Sequence, residues 1–260
     1  MRRLLTLGVG LAVMVIVVGT AAANHAWGNY HWARSSNPLQ LQIGSNVSSA
    51  YGGNLSTAVS DWDKSSVLAL TLRSGAGLSN CDPVSGRVEV CNDQYGNRQG
   101  GWLGIAQIWA SGDHIVQGTV KLNDSYLLGG GSYDSPEWRQ MVTCQEVGHT
   151  FGLDHQDENF YNTNLGTCMD YTTDPSSNQH PNAHDYEELE IIYSHLDGSG
   201  GGGGGGGGNC PPKNPHCSGG SIGNAPPLAQ ASGANGPLYV DELPGGLTRI
   251  THILWALNGN

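Results

Sequence analysis

From Gly198 to Gly208 the chain is glycine interrupted only by Ser199. Residues without side chains bury almost no surface, so this tract cannot enter a core and reads as a flexible tether. It divides the chain. The foldable part ahead of it ends near Asp197, and the segment from Asn209 to Asn260, rich in Gly, Pro and Ala, forms a tail. Within 260 residues this leaves room for one domain of ordinary size, residues 24–197. The tail holds two short strand-like runs, around Leu238–Val240 and Ile250–Trp255, separated by Pro244, Gly245 and Gly246. It either docks on the main domain or trails as an appendage.

At the amino end, Arg2 and Arg3 precede an apolar run from Leu4 to Val18, followed by Ala21, Ala22 and Ala23. The run is shorter than the roughly 20 apolar residues that span a bilayer, and it ends in small residues. Residues 1–23 are therefore read as a secretory signal peptide, and the mature protein as secreted and free of the membrane. An oxidising compartment suits the six cysteines, Cys81, Cys91, Cys144, Cys168, Cys210 and Cys217. Three disulfides are expected; nearest-neighbour pairing would close one loop before the motif described next, one within it and one in the tail. Loss of Arg2 and Arg3 leaves 9 basic against 22 acidic residues, a net charge of −13. That acidity argues against nucleic acid and anionic membranes as partners.

The pattern inside the main segment is mixed α+β. Alternation at Leu39, Leu41 and Ile43 predicts a half-buried strand, and Leu55, Val59 and Trp62 give one face of a helix. Further strand-like runs are Val67–Leu72, Arg87–Val90, Gly104–Trp109 and Ile115–Leu122, so a twisted sheet of about five strands is expected. Ser135 as N-cap and Pro136 as first residue predict a helix that ends near Gly152. Asn182 predicts a last helix over Ala183–Leu196.

The stretch from Cys144 to His155 reads CQEVGHTFGLDH. On a helix, Gln145 and His149 lie one turn apart with Glu146 beside them. A chain turning back at Gly152 brings His155 to the same point, giving three protein ligands and an open fourth position, the geometry of catalytic zinc. The stretch resembles the metzincin signature HExxHxxGxxH, in the matrixin form HExGHxxGLDH, with Gln145 in place of the first histidine. Farther on, Gly166-Thr167-Cys168-Met169-Asp170-Tyr171 looks like the Met-turn of the same clan.

The resemblance implies a zinc metallopeptidase acting on proteins or peptides. Gln145, His149 and His155 would be the metal ligands, Met169 would lie beneath the metal, Glu146 would serve as general base and then acid, and Tyr171 would donate to the oxyanion. Asp154 and Asp170 are candidates for orienting the imidazoles. Calcium occurs in the clan, but no EF-hand-like spacing of acidic residues supports a site. A monomer is expected. The remaining histidines, His25, His31, His114, His180, His184, His195, His216 and His252, repeat no ligand spacing and are read as surface or packing residues.

Gln145 qualifies the expectation. Its amide oxygen is a neutral, harder donor than imidazole nitrogen, so zinc should be held less tightly. Three outcomes stay open: a working peptidase with a Gln, His, His site, a site adapted to another metal, or an extracellular binding protein that has lost catalysis. Retention of Glu146 ranks the peptidase first, because a binding module has no need of a base there.

Overall fold

The computed structural model describes residues 25–77, 80–97, 101–198 and 238–257. The segment read as a signal peptide, nearly all of the glycine tract and the Cys210 and Cys217 pair lie outside the described residues. No described helix is long and apolar enough to cross a membrane.

The elements follow in the order β1 (His31–Trp32), β2 (Leu39–Asn46), α1 (Gly52–Trp62), β3 (Leu68–Ser74), β4 (Arg87–Asp93), β5 (Trp102–Ser111) and β6 (His114–Asn123). Then come α2 (Asp124–Leu127), α3 (Pro136–His149), a 3-10 turn at Pro175–Ser177, α4 (Ala183–Ile192), β7 (Tyr239–Leu243) and β8 (Leu247–Trp255). Among the described residues the sheet has eight strands, ordered β3-β2-β4-β6-β5-β8-β7 with β1 beside the start of β6. Pairing is parallel among β3, β2, β4 and β6, and antiparallel from β6 through β5 and β8 to β7.

The five strands legible from periodicity are β2 to β6. The difference from five lies in the two-residue β1, too short to show a pattern, and in the tail hairpin β7–β8. That hairpin is part of the same sheet: β8 runs along β5 from Leu247 opposite Ser111 to Trp255 opposite Trp102. Ile250 and Leu254 are fully buried in the common core. Residues 238–257 of the tail therefore dock on the main segment, and the compositional boundary near Asp197 separates segments that share one sheet.

Helix α3 begins as its sequence requires. The Ser135 side chain accepts from the Trp138 N–H, and Pro136 needs no partner at the first position. At its other end, Thr150, Phe151 and Gly152 donate to the carbonyls three residues back, and Gly152 takes a φ of +97°. A Cβ at Gly152 would lie 2.2 Å from the Tyr30 carbonyl oxygen, so only glycine fits this bend. Helix α1 packs on α3 and buries Leu55, Val59 and Trp62, and the Trp62 indole N–H donates to the Cys144 carbonyl at 3.0 Å. Helix α4 opens with a capping box between Asn182 and Asp185. It stops at Ile192, earlier than the apolar spacing suggested, and Leu196 is exposed. Beyond Ile192 the chain follows β1 instead: Asp197 and Arg34 exchange backbone and side-chain bonds of 2.7 and 2.8 Å.

Candidate metal centre

Residues opposite one another on neighbouring strands share a face of the sheet. The row Val90, Val120, Ala106, His252 runs across four strands in register, and all four are buried. His252 thus projects from β8 on the face that carries this apolar row. There it meets His149 at the end of α3 and His155 beyond the bend. One ring nitrogen from each of the three histidines lies within 4.8 Å of the others. The ring centroids are 4.1 Å apart for His149 and His252, 4.3 Å for His155 and His252, and 4.6 Å for His149 and His155.

The hydrogen bonds decide which nitrogens carry lone pairs. His149 Nδ1 lies 2.8 Å from the Leu153 carbonyl, which places the proton on Nδ1 and the lone pair on Nε2. His155 Nδ1 faces the Glu158 carboxylate at 3.4 Å, with the same consequence. The two Nε2 atoms then stand 3.0 Å apart, lone pair to lone pair. With both protons on Nδ1 a cation lies between them, whereas the other neutral tautomer of His155 donates Nε2–H to His149. Burial disfavours a second proton on any of the rings, since it pulls His149 down to about 3 and holds His155 and His252 well below the ordinary imidazole value. A cation fits: bonds of about 2.0–2.1 Å at tetrahedral angles separate neighbouring nitrogens by about 3.3 Å.

Glu146 gives independent support. Its side chain is wholly buried and neither carboxylate oxygen has a hydrogen-bond partner. Burial alone pushes its pKa well up. It lies against β5, where a Cβ on Gly104 would sit 2.5 Å from Oε1, so glycine at 104 is what lets the carboxylate in. A buried carboxylate without a partner is costly unless it is protonated or a positive charge is near. His252 Nδ1 is likewise buried without a partner.

The other sequence-derived candidates fall around this cluster. Gln145 donates from Nε2 to the Cys168 carbonyl at 2.8 Å, tying α3 to the loop that carries Met169, while its Oε1 is buried and unpaired. Met169 is fully buried under α3, where a Cβ on Gly148 would lie 2.8 Å from its sulfur. Tyr171 packs on His155 with ring centroids 4.2 Å apart, and its hydroxyl lies 3.5 Å from His252 Nε2. Burial raises the Tyr171 pKa, keeping the hydroxyl protonated and able to donate. Asp154 accepts from the His155 backbone N–H at 2.9 Å. Asp170 instead serves the loop, accepting from the Leu165 N–H and the Asn178 amide. Disulfides join Cys81 to Cys91 and Cys144 to Cys168, the second linking α3 to the Met169 loop.

His252 is a packing residue, one of the two roles its sequence allowed, and it also lies within ligand distance of His149 and His155. A usable signal was present: Ile250, His252 and Leu254 alternate along β8, so a histidine occupies an inward position of a buried strand. Trp27, from the start of the described chain, completes the surround by stacking on His149 at 5.0 Å and 5°. A small groove nearby, lined by Ser132, Tyr133, Trp138, Thr173 and Leu257, contains none of these side chains.

No protein-family model matches the chain, and no curated protein matches it. Among solved structures, high choriolytic enzyme 1, a hatching enzyme zinc-protease from the medaka fish Oryzias latipes, is similar at 11% identity and a TM-score of 0.33. The match covers 63% of this chain and 94% of that one.

Proposed function

We propose that the chain is a secreted, metzincin-like zinc endopeptidase whose metal is held by His149, His155 and, in place of the missing first histidine of the signature, His252. The observation that carries this reading is the convergence of three buried imidazoles, with the buried, unpaired carboxylate of Glu146 three residues before His149 on α3. Imidazole is a preferred zinc donor, and three of them leave a fourth position for water.

Zinc bound there would supply a Lewis acid and a water acidic enough to ionise near neutral pH. Glu146, free of any other partner, takes a proton from water and returns it to the departing amine. Tyr171 donates its hydroxyl where negative charge develops on the scissile carbonyl oxygen. The hydrogen bonds from Nδ1 of His149 and His155 to Leu153 and Glu158 hold both rings in the ligating tautomer. Gln145, in this reading, is a positioning residue that ties α3 to Cys168. The substrates are polypeptides, and the mature acidic chain works as a monomer without nucleic acid or membrane.

One observation favours a second reading. Glu146, His149, Tyr171 and His252 are all buried with β8 in place. A closed cluster suits a noncatalytic, extracellular binding protein in which the ion only stabilises the fold. The test is zinc content together with casein and gelatin cleavage by the mature protein. Stoichiometric zinc with turnover supports the peptidase. Zinc without turnover on either substrate supports the binding protein, and absence of zinc ends the peptidase and leaves a binding protein that has lost its site.

A further inference from the structure

A second group of metal-ligating side chains lies away from the site above, where β1, the start of β6 and the chain after α4 meet. His31 comes from β1, His195 and Asp197 from beyond α4, and their ligand atoms lie within 4.8 Å of one another. His31 Nε2 is 3.4 Å from Asp197 Oδ1 and 3.3 Å from His195 Nε2, and His195 Nε2 is 3.4 Å from the same Oδ1. All three spacings are close to the roughly 3.3 Å edge of a zinc coordination tetrahedron.

The protonation pattern sharpens the case. His31 Nδ1 lies 2.6 Å from the Asn29 carbonyl, so Nδ1 carries the proton and Nε2 points its lone pair at a carboxylate oxygen and at another imidazole nitrogen. In the tautomer of His195 that leaves Nε2 unprotonated, an ion between the three atoms satisfies both lone pairs and the carboxylate oxygen. The carboxylate is held in place from behind: Asp197 Oδ2 accepts from the Arg34 N–H at 2.8 Å, and the Asp197 N–H donates to the Arg34 carbonyl at 2.7 Å. Arg34 also holds the preceding residue pair, donating from Nε to the His195 carbonyl at 3.2 Å. His114, opposite His31 in the strand pair, lies with Nε2 3.1 Å from Asp197 Oδ1 and orients that oxygen.

We propose that His31, His195 and Asp197 form a second binding site for a divalent transition-metal ion, zinc by the chemistry of its two imidazoles and one carboxylate. His31 is buried, Asp197 nearly so and His195 exposed, so water completes the coordination from the open side. The ion joins two chain segments, β1 and the stretch beyond α4, that also meet through hydrogen bonds and ring contacts. One of them leads directly from Trp27, the residue stacked on His149, so the second ion steadies a wall of the first site without touching it.

The experiment measures zinc stoichiometry of the full mature chain after dialysis, for the natural sequence, His195→Ala, His252→Ala and the double variant. The expected equivalents are two, one, one and none. One equivalent in the natural sequence, unchanged by His195→Ala, overturns the second site and leaves the first intact. One equivalent that His195→Ala removes, with His252→Ala without effect, overturns the first and leaves the second. A readout independent of stoichiometry uses melting temperature in the His252→Ala background. Added zinc should raise it, and adding His195→Ala should shrink the rise to what the weakened first site gives; a rise of the same size in the double variant overturns the proposal.

Discussion

His149 and His252 hold their rings with centroids 4.1 Å apart, one on the last turn of α3 and the other in the middle of β8. The tail strand thus delivers an imidazole to the point that the signature sequence leaves one histidine short. Replacement of His252 by Ala should weaken zinc binding at this site by at least about 10- to 100-fold, more than the loss of an outer-shell partner. The double variant Gln145→His, His252→Ala should recover much of that affinity, because a histidine at 145 stands one turn from His149 on the same helix face. A competition titration with a zinc chelator checks both. Equal affinity for His252→Ala and the natural protein would remove His252 from the ligand set.

Glu146→Gln separates chemistry from binding. The amide keeps the shape of the side chain and relieves the burial of an unpaired carboxylate, but accepts no proton. Zinc should stay bound while peptide cleavage falls about 10²- to 10⁴-fold, the usual weight of general acid–base catalysis. Parallel loss of metal and turnover would instead make Glu146 a ligand or a structural residue.

The pH dependence of the metal-free protein follows from the same burial. His149, His155 and His252 have folded-state pKa values below 6.5, so their contribution is full above that pH and is lost as the unfolded chain takes up protons. Glu146 has a raised pKa, so its contribution is full below about 4.5 and declines as pH rises. Between roughly pH 4.5 and 6.5 the unfolded state binds three protons at these sites against one in the native state, and stability rises with pH. Above 6.5 the native state holds the extra proton and stability falls. Denaturant midpoints of the metal-free protein should therefore peak near pH 6.5, and Glu146→Gln should flatten the alkaline side. A monotonic rise through pH 8 would contradict the unpaired state of that carboxylate.

Much of the fold was legible because it is written locally. Ser135 and Pro136 announce α3, Asn182 announces α4, and Leu39, Leu41 and Ile43 alternate as a half-buried strand must. His149, Glu146 and His155 lie within one short stretch, so helical spacing and one glycine bend suffice to bring them together. His252 was not legible in that way. It comes from beyond a glycine tract, and its partnership depends on the register of β8 against β5, which no local pattern specifies. The same holds for His31, His195 and Asp197, joined only because the chain leaves α4 early to run beside β1. The tail strands could be seen as strands; what they would pair with could not.

The Cys144–Cys168 bridge closes a loop with a sequence separation of 24 and holds α3 against the Met169 loop. Replacing both cysteines by Ala should cost about 3 kcal/mol on the chain-entropy scale. For a domain of this size that lowers the melting temperature by roughly 6–12 °C. Because Gln145 donates to the Cys168 carbonyl, zinc affinity should fall as well, even though neither sulfur is a ligand. Calorimetry and the chelator titration on the same variant test both halves. A lower melting temperature with unchanged affinity would show that the loop is not needed to position the imidazoles.

Removal of residues 238–260 tests whether β8 serves the site or shuts it. The truncation takes away His252 and uncovers the edge of β5 together with the core that Ile250 and Leu254 fill. If β8 is a permanent part of the centre, the shortened protein should lose its first-site zinc and all cleavage. It should also self-associate through the bare β5 edge, where unpaired backbone groups invite another strand. A cover would behave in the opposite way. The truncated form would keep zinc through Gln145, His149 and His155, and would cleave casein faster than the intact chain, since β5 would be free to pair with an extended peptide. The single variant His252→Ala separates loss of the ligand from loss of the strand: with the hairpin still in place, a ligand role lowers affinity and turnover together, whereas a plugging role raises turnover.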